Sequence, residues 1–205
     1  QSMTKIAWWK RGIVYQIYPR SFQDSKNDGI GDLEGVRQRL DYLVWLGVDA
    51  IWLSPIFVSP MADFGYDVAD YRAIDPIFGT LEDFRKLVKT AHQNGIYVIL
   101  DWVPNHTGWD HVWIKQHPEF YTHNEKGEIV DPMNPETGKS WGWTDVADLN
   151  YDNQNLRAAM TADMKYWLQK EGIDGFRCDV AGNVPADFWQ KRCTGYYFEA
   201  LHAVE

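Results

Sequence analysis

Short apolar strands alternate with amphipathic helices along this chain, repeating about every 40 residues, and no other feature restricts the fold so tightly. The first strand is read over residues 12–19 (Gly-Ile-Val-Tyr-Gln-Ile-Tyr-Pro), rich in β-branched and aromatic side chains and stopped by Pro19. Leu33, Val36, Leu40, Leu43 and Leu46 then share one face of a helix predicted over residues 33–46, which Gly47 ends. The second strand, residues 49–54, is followed by a long loop carrying Gly65-Tyr66-Asp67. Thr80 is predicted to cap the next helix, with Asp83 in its first turn and Asn94-Gly95 as its stop. The third strand, residues 96–103, is the most apolar and leads into Asp101-Trp-Val-Pro-Asn-His106. A helix over residues 155–170 precedes the fourth strand, residues 173–179.

Strands joined through helices run parallel, with the helices outside. An open doubly wound sheet and a closed barrel both meet that condition. No Gly-x-Gly-x-x-Gly follows the first strand, and polar residues gather after every strand, as they do at the catalytic face of a barrel. The fold class is therefore read as α/β, a parallel (β/α) barrel of the TIM type. A full barrel takes about 250 residues, so the four units are its first half, and residues 193–205 lack the apolar strand that should come fifth. Residues 107–153, dense in Trp, Gly, Pro, Asn and Asp, are too long for an ordinary connection and are read as a subdomain inserted after strand three. The barrel half is placed at residues 1–106 and 154–205.

The net charge of -9 argues against nucleic acid or an anionic membrane as partner, since both require basic patches. No apolar run approaches the roughly 20 residues of a membrane span, and no signal peptide is visible; a start at Gln1-Ser2 fits a removed signal or a cloned fragment. The 11 Trp and 11 Tyr offer apolar faces with polar edges, which suit sugar rings and ordinary cores alike. Cys178 and Cys193 have no metal-binding spacing, and Cys178 is expected to be a buried thiol.

In the heptad Ile-Asp-Gly-Phe-Arg-Cys-Asp that ends at Asp179, alternation along a strand points Arg177 and Asp179 the same way. They are either an ion pair closing the strand end or an anchored carboxylate delivered to a pocket.

Five motifs, taken in order, resemble the α-amylase family of retaining glycosidases, above all its α-glucosidase and oligo-1,6-glucosidase branches. Val14-Tyr-Gln-Ile-Tyr-Pro-Arg-Ser-Phe22 resembles the family's first strand and Gly65-Tyr66-Asp67 its sugar-holding loop. Asp101-Trp-Val-Pro-Asn-His106 is similar to its third-strand motif, Asp148-Leu149-Asn150 to a motif closing its inserted domain, and Gly175-Phe-Arg-Cys-Asp179 to its nucleophile strand. The resemblance implies an oligosaccharide or polysaccharide substrate, with Asp179 as nucleophile and Arg177 holding it ionised and aimed. It implies Tyr66 stacking under the sugar, Asp67 and His106 binding its hydroxyls, and Asp101 and Asn105 orienting the site from behind. Retention also needs a carboxylic acid about 5 Å from the nucleophile. The resemblance puts that Glu and a third carboxylate on strands after the fourth, and nothing around Glu199 matches the acid motif. This chain alone is therefore expected to be inactive.

Residues 24–32 (Asp-Ser-Lys-Asn-Asp-Gly-Ile-Gly-Asp) resemble the calcium loop of the oligo-1,6-glucosidase branch, which implies Ca2+ at Asp24, Asp28, Ile30 and Asp32. Lys26 departs from that pattern where the family has an oxygen donor. Either Asn27 shifts into its place, or the Lys26 ammonium replaces the ion by pairing with Asp24, Asp28 or Asp32. Linkage preference is left open, because Val180 accompanies both α-1,4 and α-1,6 cleavage. The pair Trp141 and Trp143 is expected either to stack further sugar units or to fill the core of the insert. Two other functions are kept: a transporter ancillary subunit, which shares the fold but tends to lose the Gly-Tyr-Asp and Arg-x-Asp residues present here, and a sugar-binding fragment.

Overall fold

The computed structural model describes residues 7–192. Strand β1 (Val14–Ile17) runs into the helical turn α1 (Pro19–Phe22), where Pro19 at the first position supplies a helical φ and lacks only an amide the helix would leave unpaired. α2 (Leu33–Gln38) and α3 (Leu40–Leu46) follow, then β2 (Ala50–Leu53). The single helix predicted over residues 33–46 is broken at Arg39, whose backbone leaves helical geometry (φ -106°, ψ 11°) while its side chain donates to Gln23 Oε1 at 2.9 Å. Leu33, Val36, Leu40 and Leu43 still face the core, but the re-phased last turn leaves Leu46 41% exposed. Gly35 sits so close to α1 that a methyl group there would overlap the Gln23 carbonyl, which explains a glycine inside α2.

The long loop after β2 contains a hairpin that alternation alone did not reveal. β3 (Phe57–Val58) pairs antiparallel with β4 (Asp70–Ile74) across a register shift. α4 (Leu81–Gln93) starts with the expected reciprocal cap: Thr80 Oγ1 accepts from the Asp83 amide at 3.1 Å, and Asp83 Oδ2 accepts from the Thr80 amide at 2.9 Å. β5 (Tyr97–Trp102) leads into β6 (His106–Gly108), which pairs antiparallel with β7 (Val146–Asp148); α5 (Trp113–Gln116) lies between these two. α6 (Gln154–Gln169), capped by Asn153, precedes β8 (Gly175–Cys178) and α7 (Ala186–Arg192).

β1, β2, β5 and β8 form one parallel sheet in that order, the arrangement consecutive barrel units require. Cys178 is half-buried rather than buried. Cys193, Glu199 and the question of a fifth strand lie outside the described residues.

Alternation along β5 sorts the site from the core. Trp102 is fully buried against Phe57, Tyr71 and Phe176 and donates its indole N–H to Met160 Sδ of α6 at 3.3 Å. Asp101, one residue earlier, therefore points to the opposite face. The segment after β5 is fixed by tyrosine hydroxyls: Tyr71 donates to the carbonyls of Val103 (2.7 Å) and His106 (3.1 Å), and Tyr151 to that of Pro104 (2.6 Å). Trp167 of α6 in turn holds the Tyr71 carbonyl at 2.7 Å, so helix packing sets where His106 stands. Among the described residues, no helix is long and apolar enough to cross a membrane.

Candidate active site

Strand register brings the charged groups together. Asp101 of β5 lies directly beside Arg177 of β8, and Trp52 of β2 is paired with Ile99, two residues before Asp101 on the same face. Arg177 Nη1 donates to Asp179 Oδ1 at 2.8 Å and reaches both oxygens of Asp101 at 3.4 and 3.3 Å. Asp101 Oδ2 also accepts from Tyr66 Oη and from Trp52 Nε1, each at 2.9 Å. The Arg177 guanidinium lies 4.7 Å from the Trp52 ring centroid, so the indole offers it a π face as well as a shared partner.

Asp101 is buried, and burial pushes its carboxyl up to about 7 against the pull of Arg177 and of the Tyr66 and Trp52 hydrogen bonds. Burial also raises Asp179, again opposed by Arg177. His106, 3% exposed, is driven down to about 4 by burial, with Asp67 and a hydrogen bond to the Tyr66 backbone acting the other way. Its Nδ1 lies 3.1 Å from the Asn105 side-chain amide. The neutral ring is thus tied to neighbours at both sides, linking the Tyr66 loop to the end of β5.

Asp67 is fully buried. Its Oδ1 accepts from Ser59 Oγ (2.8 Å) and the Asp63 amide (3.1 Å), and its Oδ2 from the Ala62 amide (2.9 Å). The carboxylate therefore closes the loop that presents Tyr66. Asp63, on the same loop, is raised by partial burial and by the charges of Asp67, Asp179 and Asp145. Met61 (φ 62°), Phe64 (φ 53°) and Val180 (φ 50°) all adopt left-handed backbone conformations, at about 1–3 kcal/mol each, beside Asp67 or Asp179. For Val180 the branched side chain makes that conformation the least favourable of the three.

The structure thus brings Asp179, Arg177, Asp101 and Tyr66 into one bonded group, with His106 tied to Asn105 and to the Tyr66 backbone and Asp67 to the loop that carries Tyr66. Sequence reading missed Trp52, Ser59 and Asp63. For Trp52 a signal existed: on a strand through residues 49–54 it shares a face with Ser54, the last polar residue before Pro55.

The acidic loop before α2 is closed on itself. Asp24 accepts from the amides of Lys26 (2.9 Å), Asn27 (2.8 Å) and Gly29 (2.7 Å), and Asp28 from that of Ile30 (2.9 Å). Asp32 caps α2 at Gly35 (2.7 Å) and accepts from Ser25 Oγ (2.8 Å). Lys26 pairs with none of these acids; its charge acts on Asp83 of α4 instead. Calcium asks for about six to eight oxygens around one point, and among the described residues no three acidic, His or Cys side chains gather to hold a metal.

The pH dependence of stability follows from Asp101. Its folded-state value near 7 lies above the ordinary carboxylate value, so the folded protein holds a proton that the unfolded chain releases. That contribution is complete below about pH 4 and is lost as pH rises toward 7. The difference in urea stability between the unaltered protein and Asp101→Asn is expected to shift by about 1.4 kcal/mol per pH unit across that window, in disfavour of the unaltered protein as pH rises. A difference that stays flat from pH 4.5 to 6.5, values chosen on the order of the window's middle, would contradict the assignment.

The family model for the alpha amylase catalytic domain matches residues 16–196. Among curated relatives, Maltase A2 of Drosophila melanogaster is 42% identical, over 94% of this chain and 38% of its own length. Oligo-1,6-glucosidase of Heyndrickxia coagulans is 41% identical, over 86% of this chain and 36% of its own. The crystal structure of Bacillus licheniformis trehalose-6-phosphate hydrolase superposes with a TM-score of 0.80 at 33% identity, covering 93% of this chain and 43% of that one. The chain therefore spans well under half the length of these relatives, and within that span it belongs to the alpha-amylase catalytic-domain family.

Proposed function

We propose that the protein carrying this chain hydrolyses α-glucosidic bonds of oligosaccharides with retention, with Asp179 as nucleophile. The observation that carries this reading is the position of Asp179 just past the tip of β8, held at 2.8 Å by an arginine that the neighbouring strand's Asp101 also engages. Anchoring of this kind fixes the attacking oxygen before substrate arrives. The Asp179 carboxylate attacks the anomeric carbon, and the bond to the leaving oxygen breaks as that oxygen takes a proton from a carboxylic acid. Water then attacks the glucosyl ester, giving its proton back to the same acid and freeing Asp179. No described residue is assigned that acid.

Tyr66 is offered as the floor for the sugar ring, its hydroxyl pinned by Asp101. Asp67 and His106 serve by holding the Tyr66 loop, a reading supported by their burial and by their bonds to Ser59, Ala62, Asp63 and the Tyr66 backbone. The intact Gly65-Tyr66-Asp67 and Arg177-Asp179 pairs disfavour a non-enzymatic ancillary subunit. Proton NMR of the first turnovers on an α-glucoside tests the proposal: the α anomer is expected to appear first and then mutarotate. Early β anomer would overturn retention.

A further inference from the structure

The row of side chains one step below the charged group carries a tryptophan. Sheet register aligns Gln16, Trp52, Ile99 and Gly175 across β1, β2, β5 and β8, and Asp101 and Arg177 are paired two residues nearer the strand tips. Residues two apart on a strand share a face, so both rows look the same way. Trp52 is long enough to cross from one row to the next. Its Nε1 donates to Asp101 Oδ2 at 2.9 Å, and its ring centroid lies 4.7 Å from the Arg177 guanidinium. Gly175, two residues before Arg177, leaves the row open beside β8: a methyl group there would meet nothing within 4 Å. The strand that carries Arg177 therefore puts no side chain of its own beneath it.

Arg177 needs that support. Among the described residues every hydrogen bond of Arg177 passes through Nη1, which reaches Asp179 Oδ1 at 2.8 Å and the two Asp101 oxygens at 3.4 and 3.3 Å. A guanidinium paired through two nitrogens is held in one plane, whereas one gripped at a single nitrogen can turn about it. The indole face supplies the missing constraint. On the acid, the Trp52 N–H and the Tyr66 hydroxyl both take Oδ2, each at 2.9 Å, so Asp101 is held from two side chains besides Arg177.

We infer that Trp52 is a positioning residue for the nucleophile: its ring sets the plane of the Arg177 guanidinium and its N–H sets the Asp101 carboxyl, which together keep Nη1 aimed at Asp179. This rests on the reading of Asp179 as nucleophile. The role requires no contact between the indole and a sugar.

Trp52→Phe keeps an aromatic face and loses the donor, whereas Trp52→Leu loses both. In the protein carrying this chain, rapid mixing with an activated aryl α-glucoside separates the steps. The saturating rate constant of the first turnover measures attack by Asp179, and the half-saturating concentration measures binding. A first-order rate constant does not depend on how much of the protein is folded, so lost stability alone leaves it unmoved. It is expected to fall roughly three- to tenfold in Trp52→Phe and roughly three- to tenfold further in Trp52→Leu, with half-saturation changing by less than about twofold. Where Trp52→Leu does not fold, Trp52→Phe decides. A rate constant unchanged in Trp52→Phe, or a loss confined to binding, would overturn the role and leave the glucosidase reading standing. Equal falls in the two variants would overturn the part given to the ring. No turnover by the unaltered protein would overturn that reading and this role with it.

Discussion

Asp179→Asn, in the protein carrying this chain, is expected to lower kcat by about three orders of magnitude or more, with the thermal midpoint little changed. The amide is nearly the size of the carboxylate and its oxygen still accepts from Arg177 Nη1, which now stands 2.8 Å from Asp179 Oδ1. What the substitution removes is the charge and nucleophilicity needed at the anomeric carbon. Pre-steady-state mixing with an activated aryl α-glucoside supplies the check, since the unaltered protein should release a burst of leaving group and the variant none. A variant retaining more than a few per cent of turnover, on the order of what deamidated contaminant would give, would remove Asp179 from the proposed role.

The second large effect is expected at Arg177. Arg177→Met removes the cation between two carboxyls, one of them fully buried, and leaves Asp101 with only the Tyr66 hydroxyl and the Trp52 indole. With the cation gone Asp101, already raised to about 7, is held protonated, so it loses a hydrogen-bond partner rather than the partner of a buried charge. A urea titration is expected to show a loss of about 1–3 kcal/mol. Without the guanidinium both carboxyls rise further, and the acid limb of the pH-rate profile moves upward with them. Arg177→Lys keeps the charge but not the planar face that lies over Trp52, so it should recover only part of the loss. An unchanged urea midpoint in Arg177→Met would mean that Asp101 does not depend on the arginine.

Much of this arrangement could be read from residue order, because the devices that build it are local. The reciprocal cap at Thr80 and Asp83, the glycine stop at Gly47 and the shared direction of Arg177 and Asp179 each follow from spacing within one element. What escaped reading depends on partners far away in sequence. β3 has two residues and a register shift, too little for alternation to register, yet it places Phe57 against Trp102 and Trp167. The break at Arg39 leaves the apolar spacing of residues 33–43 intact and shows only in exposed Leu46 and in the bond to Gln23. Of the two readings of Lys26, the one that pairs its ammonium with the acids of its own loop is not what the structure has: Asp24, Asp28 and Asp32 spend their oxygens on nearby amides and Ser25, and its charge falls toward α4. Spacing puts Trp52 on the face of Ser54, but that this face meets Asp101 depends on sheet register, which sequence spacing does not set.

A single guanidinium nitrogen serves two acids on neighbouring parts of the sheet, and this makes their protonation interdependent. Whenever Asp179 loses its negative charge, as the proposed ester step would require, the attraction that Arg177 had divided falls on Asp101 alone. Asp101 then releases its proton more readily, and takes it back when the ester is cleaved. Under the proposed mechanism, the two halves of the catalytic cycle would thus be marked by opposite proton movements at a buried carboxyl beside the nucleophile.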